Sequence, residues 1–203
     1  MIVNEIFESI QGEGKYTGQP CLFIRLSGCT RACSFCDTKY HTNGKKMTVE
    51  QVIKKIEKSK MQYIVWTGGE PMLQQDEIYK VFIRTDFKFH QIETNGDILP
   101  AVPGAFSYIG FSPKEKRVQD NVVAYVNQIE LSDDFDYDIK IVTDLETEGV
   151  DMIDNATLLM PLTTYDKNKD LEIQRKVWKY CVANNIKYAP RIHVDIWGQK
   201  RGV

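Results

Sequence analysis

Short apolar runs alternate with amphipathic stretches of helical period along most of this 203-residue chain, and that alternation limits the folds open to it. Residues 21–28, 61–70, 88–96, 107–114, 137–144 and 155–162 read as strands. Residues 48–60, 76–85 and 170–185 read as helices. In the first of these Thr48 is the N-cap, Gln51 completes a capping box, and Val49, Val52, Ile53 and Ile56 share a face. Residues 186–198 close the chain as a strand and an ordered tail. Strand–helix alternation implies parallel strands joined by right-handed crossovers. A full barrel of eight such units needs roughly 250 residues. The expectation is therefore an α/β fold: an incomplete, partial parallel β/α barrel of about six strands, in a single domain spanning 1–203. In such folds sites gather at the carboxyl ends of the strands. Four clusters fall there: 29–36, 68–71, 93–96 and 112–114.

Three cysteines lie within eight residues, as Cys29-x3-Cys33-x2-Cys36. Five cysteines in all, an odd number, argue against a disulfide framework and for metal. Three soft thiolates on one tight loop suit an iron–sulfur cluster. A four-iron cube held by three cysteines keeps one iron open, as catalysis requires, whereas electron-transfer clusters have four cysteine ligands. The competing reading is a structural zinc site with Cys21 or His41 as fourth ligand, although the second Cys-x2-Cys knuckle of such sites is missing.

A formal net charge of -2 gives no basic field for nucleic acid, and no run reaches the ~20 apolar residues of a membrane span. The opening residues carry acids and no apolar signal core, so a cytoplasmic protein is expected.

The cysteine spacing, Phe35 before Cys36 and the Gly68-Gly69-Glu70-Pro71 turn together resemble the radical S-adenosylmethionine superfamily. That resemblance implies a 4Fe-4S cluster on Cys29, Cys33 and Cys36 whose open iron is chelated by S-adenosylmethionine, with Gly68, Gly69 and Glu70 against its amino group. More narrowly, residues 4–14, 18–29 and 36–38, Glu93-Thr94-Asn95-Gly96, Ser112-Pro113-Lys114 and the tail 192–198 resemble the 7-carboxy-7-deazaguanine synthase family. Membership would imply a lyase of queuosine biosynthesis. It would convert 6-carboxy-5,6,7,8-tetrahydropterin to 7-carboxy-7-deazaguanine by ring contraction with loss of ammonia, in a reduced radical-SAM core. By this resemblance Ile10, Gln11, Gly12, Arg25 and Thr94 bind the pterin. Phe35, Cys36, Asp37, Gly96, Ser112 and Lys114 line S-adenosylmethionine, and Thr38 ligates Mg2+. The implied partners are a second copy in a homodimer and a reductase such as flavodoxin or ferredoxin, with no direct nucleic acid and no membrane. Physical chemistry agrees at two positions: a guanidinium pairs with a carboxylate through parallel hydrogen bonds, and a hydroxyl oxygen is a hard ligand suited to Mg2+.

Two other readings stay open: a glycyl-radical enzyme activase, which would share the cysteines and the turn, and a zinc-stapled binding module. Cys21 and Cys181 sit in apolar patterns and read as core thiols, His90 as a hydrogen-bonded strand residue, and His193 as a possible pocket residue. Lys54, Lys55, Lys58 and Lys60 read as a solvated helix face.

Overall fold

The computed structural model describes residues 1–33, 36, 42–129 and 136–203. Its strands are β1 (Ile2–Ile10), β2 (Pro20–Leu26), β3 (Lys45–Lys46), β4 (Tyr63–Gly68), β5 (Phe89–Thr94), β6 (Tyr108–Phe111), β7 (Tyr137–Thr143), β8 (Leu158–Pro161) and β9 (Lys187–Tyr188). They form one sheet in the order β3-β1-β2-β4-β5-β6-β7-β8-β9. From β2 to β9 every neighbouring pair is parallel. At the other end β1 is antiparallel to β2 and β3 to β1. β3 and β9 are the two edges, so the sheet does not close and the partial barrel expected from the sequence is what forms.

The helices are α1 (Val49–Lys58), α2 (Gln75–Thr85), α3 (Lys116–Ile129), α4 (Lys167–Asn184) and the short α5 (Ile192–Trp197). α1 starts where its sequence says it should: Thr48 accepts from the Gln51 N–H while the Gln51 side chain accepts from the Thr48 N–H. Its Val52, Ile53 and Ile56 are buried.

Period-two patterning gives each strand two different faces. Leu22, Ile24 and Leu26 of β2, Ile64 and Trp66 of β4, and Ile139 and Ile141 of β7 belong to the main core, which also takes in residues of α1 to α4. The alternate residues, Phe23 and Arg25, Val65 and Thr67, Lys140 and Val142, line a cavity on the concave side. Below that cavity the β1–β2 loop plugs the barrel. The Tyr16 ring packs 5.8, 4.9 and 5.1 Å from Tyr63, Phe89 and Tyr108, the first residues of β4, β5 and β6.

His90 is buried among Trp66, Phe82 and Thr85. The Trp66 indole N–H donates to Nδ1 at 3.0 Å, so Nε2 carries the proton and donates to the Thr85 carbonyl at 2.9 Å. Burial holds its pKa below the ordinary value. Cys21 and Cys181 are both buried, as read.

Two long elements escape the sequence reading. β1 alternates acids with apolar residues and bears Glu5 toward Arg25, so its charges look like surface. α3 carries valines that suit a strand equally well, and its burial at Val118, Val122 and Val126, every fourth residue, fixes the helix.

Candidate active site

Two turns at the strand ends are locked together by main chain. The Gly69 N–H donates to the Leu26 carbonyl at 3.1 Å, and the Glu70 N–H to the Gly28 carbonyl at 2.7 Å. That approach admits no side chain: a Cβ on Gly69 would lie 1.8 Å from the Gly28 oxygen. The Gly-Gly-Glu turn after β4 therefore abuts the cysteine loop after β2. Glu70 extends the lock inward. Fully buried, it accepts from the Met72 N–H at 2.9 Å, the Thr94 hydroxyl at 2.7 Å and the Asn95 N–H at 2.7 Å. Burial pushes its carboxyl up to about 7, against the pull of those three donors.

The cavity, about 280 Å³, opens at the carboxyl ends of the strands. Cys29, Cys33 and Cys36 line it. All three are half-buried and free of disulfides; the Arg31 N–H lies 3.4 Å from the Cys29 sulfur, and the Cys36 N–H donates to the Cys33 carbonyl at 3.2 Å. Burial pushes the Cys33 thiol up, while the Lys114 charge opposes it. Three thiols turned into one pocket, beside lysine and a main-chain donor, make a donor set that fits a thiolate-bound iron–sulfur cluster. Among the described residues no three Cys, His, Asp or Glu side chains come together as a site for a single metal ion.

Of the residues singled out from the sequence, Ile10, Gln11, Gly12, Arg25, Gly68, Gly69, Thr94, Ser112 and Lys114 share the cavity wall with the cysteines. Arg25 is oriented by β1: its Nε donates to Glu5 at 2.7 Å, and its guanidinium lies over the Phe7 ring. Lys114 donates to the Ser112 hydroxyl at 2.7 Å. Glu70 and Gly96 stand behind the wall. Glu70 serves as the buried clamp just described, and Gly96 takes φ +79 with Val122 against it. Phe35, Asp37, Thr38 and His41 lie outside the described residues.

The structure adds a charged group that no spacing revealed. Lys140, buried on β7, donates at 2.9 Å to both Glu13 and Glu93. Arg191 donates to Glu13 at 3.1 Å, and the His193 ring stands 3.8 Å from the same carboxylate. Burial raises the Glu13 pKa, but Lys140, Arg191 and His193 outweigh it and hold the carboxyl well below its usual range. Burial likewise works against the Lys140 charge, and the two carboxylates overcome it, lifting its pKa. Its signal in the sequence was a lone lysine in the apolar run 137–144. His193, read as a possible pocket residue, does line the cavity, and it packs on Gly12 so closely that a Cβ there would meet Nδ1 at 2.3 Å.

Comparison with known proteins fits this geometry. Residues 23–112 match the Radical SAM superfamily profile. A 7-carboxy-7-deazaguanine synthase of Bacteroides thetaiotaomicron is 42% identical over 113 residues, 56% of this chain and 60% of that protein. The enzyme of that name from Haemophilus influenzae is 37% identical over 131 residues, 63% of this chain and 61% of its own length. With these two, the matched stretch spans about three fifths of the relative. The Pyrobaculum aerophilum protein of the same name matches end to end, 30% identical over 226 residues, covering 98% of this chain and 96% of that one. The crystal structure of QueE from Escherichia coli shares the fold, with a TM-score of 0.56 at 20% identity over 93% of this chain and 92% of that one. Within the radical SAM superfamily, this chain belongs to the 7-carboxy-7-deazaguanine synthase family.

Proposed function

We propose that residues 1–203 act as one domain, a radical SAM lyase that converts 6-carboxy-5,6,7,8-tetrahydropterin to 7-carboxy-7-deazaguanine with ring contraction and loss of ammonia. One observation carries the reading: three free cysteines and an oriented arginine line one cavity. Cys29, Cys33 and Cys36 would hold the 4Fe-4S cluster, the Gly68–Gly69 turn with Ser112 and Lys114 would hold S-adenosylmethionine, and Thr38 would be the Mg2+ ligand. When bound, the cluster and its sulfonium cofactor supply the radical that takes hydrogen from the substrate.

The chain's own groups bind and orient. Arg25, oriented by Glu5, would set its guanidinium charge toward the pterin carboxylate. Ile10, Gln11, Gly12 and Thr94 would hold the ring. Glu13, kept ionised by Lys140, and Glu93 on the same lysine would present acceptors toward the ring's N–H groups. Residues 198–203, which line the same cavity, restrict water around the reacting centre.

A homodimer is proposed on the exposed Leu171, Trp178 and Val182 of α4. A flavodoxin- or ferredoxin-type reductase would supply electrons. The cytoplasm, where thiols stay reduced, suits five free cysteines, and no helix among the described residues is long and apolar enough to cross a membrane.

The test is anaerobic cluster reconstitution, then incubation with the carboxy-tetrahydropterin, dithionite and S-adenosylmethionine, with mass detection of the deazaguanine acid. Product is expected from the native chain and none from Cys33→Ala; product from that variant overturns the scheme.

A further inference from the structure

Between Cys29 and Cys33 sits an arginine with no part in the function above. Arg31 Nε donates to one oxygen of Asp97 at 2.7 Å and Nη2 to the other at 2.5 Å, a bidentate pair, and Nη2 also reaches Glu115 at 3.0 Å. Thr30 gives its hydroxyl to the same Asp97 carboxylate at 2.6 Å and accepts from the Asn95 side chain at 2.9 Å. The Asn95 N–H in turn donates to buried Glu70. One hydrogen-bonded chain thus runs from Glu70 through Asn95, Thr30, Asp97 and Arg31 to Glu115. It ties the cysteine loop to the Gly-Gly-Glu turn, to the loop after β5 and to the segment that enters α3.

Resting on the proposed function, we propose that the Arg31–Asp97 pair is the positioning device of the site, setting where the three thiolates stand relative to the Gly68–Gly69 turn and so how S-adenosylmethionine engages the cluster. Among the described residues only one main-chain hydrogen bond, Cys36 to Cys33, lies within the cysteine loop. A bidentate guanidinium–carboxylate pair fixes both direction and plane. The two side chains are only 19% and 16% exposed, so the pair is largely sheltered from the screening that weakens surface ion pairs. Asp97 is tied further by its own N–H, which donates to Asn95 Oδ1 at 2.9 Å. The burial that would raise the Asp97 pKa is outweighed by Arg31 and Thr30.

The experiment compares the native chain with Arg31→Lys, Arg31→Ala, Asp97→Asn and the Arg31→Ala/Asp97→Asn double variant, all reconstituted anaerobically. Iron content, the paramagnetic resonance spectrum of the dithionite-reduced protein with and without S-adenosylmethionine, and KM for S-adenosylmethionine are read. Native-like iron is expected in all. KM should rise about 10-fold or more, the loss typical of second-sphere partners. The cofactor-induced change in the spectrum should be weakened. Arg31→Lys should rescue only in part, and the double variant should be no worse than the more affected single one. Variants that lose thermal stability or iron but keep native spectra and KM show a merely structural pair and overturn the proposal. Should the conservative Arg31→Lys and Asp97→Asn variants match the native chain on every readout, the proposal likewise falls. A native chain that assembles no cluster sinks the proposed function itself, and with it this inference.

Discussion

Glu70 places a carboxyl where no solvent reaches, and the consequence is a pH dependence. Its folded pKa of about 7 lies above the ordinary 4.5, so the folded chain holds this proton more tightly than the unfolded one. The stability it contributes is complete below about pH 4.5 and drains away as pH climbs through 7. The displacement from 4.5 to about 7 corresponds to on the order of 3 kcal/mol. Urea unfolding between pH 4.5 and 8 should show that fall in the native chain, and Glu70→Gln should flatten it. Gly69 is the second residue with no alternative. Gly69→Ala drives a methyl into the Gly28 carbonyl and should cost about 1–3 kcal/mol of unfolding free energy, because the strand ends must part. A Gly69→Ala midpoint equal to the native one would contradict the close approach.

At the scale of elements, α1 stands on its cap. Thr48→Ala removes the acceptor for the Gln51 N–H and should lower unfolding free energy by ~1 kcal/mol, read as a reduced urea midpoint at unchanged slope. β1 works differently. Its antiparallel pairing extends the parallel sheet and delivers Glu5 to the flank of Arg25, so this strand orients a guanidinium that lines the cavity. The Glu5 carboxylate also stands 3.7 Å from Arg201, which ties this strand to the C-terminal segment. α3 contributes Gln119, whose amide donates to the Met152 carbonyl at 2.6 Å and so fastens the helix to the segment before β8.

Across the whole molecule, Lys140 joins the loop after β1, the end of β5 and the middle of β7 through two half-buried carboxylates. Lys140→Met takes the lysine from Glu93 and leaves Glu13 to Arg191 and His193, and should destabilise the chain by about 1–3 kcal/mol, measured by chemical unfolding at neutral pH. It should also move acid unfolding to higher pH. The depressed Glu13 carboxyl contributes stability that is present above its ordinary pKa and lost as pH falls, and without Lys140 that contribution shrinks. An unchanged acid midpoint in Lys140→Met would show that Arg191 and His193 alone hold Glu13 ionised.

By itself the sequence determined the class of fold and the motif-bearing part of the cavity wall. Residue period and strand–helix alternation are local properties, and the cysteine loop, the Gly68–Gly69 turn and Arg25 each lie at or near the end of an apolar run, where a parallel sheet must expose them. Only the tertiary structure decided what lies between those walls. Glu13, Glu93, Lys140, Arg191 and His193 come from segments as much as 180 residues apart (13 to 193), and no spacing rule links them. Arg31 and Asp97 escape the sequence for the same reason: each is an ordinary loop residue until the ends of β2 and β5, with β4 between them, are brought to one rim of the sheet. Charge pairing in a buried site depends on which strands become neighbours, and sheet order is settled by packing over the whole chain.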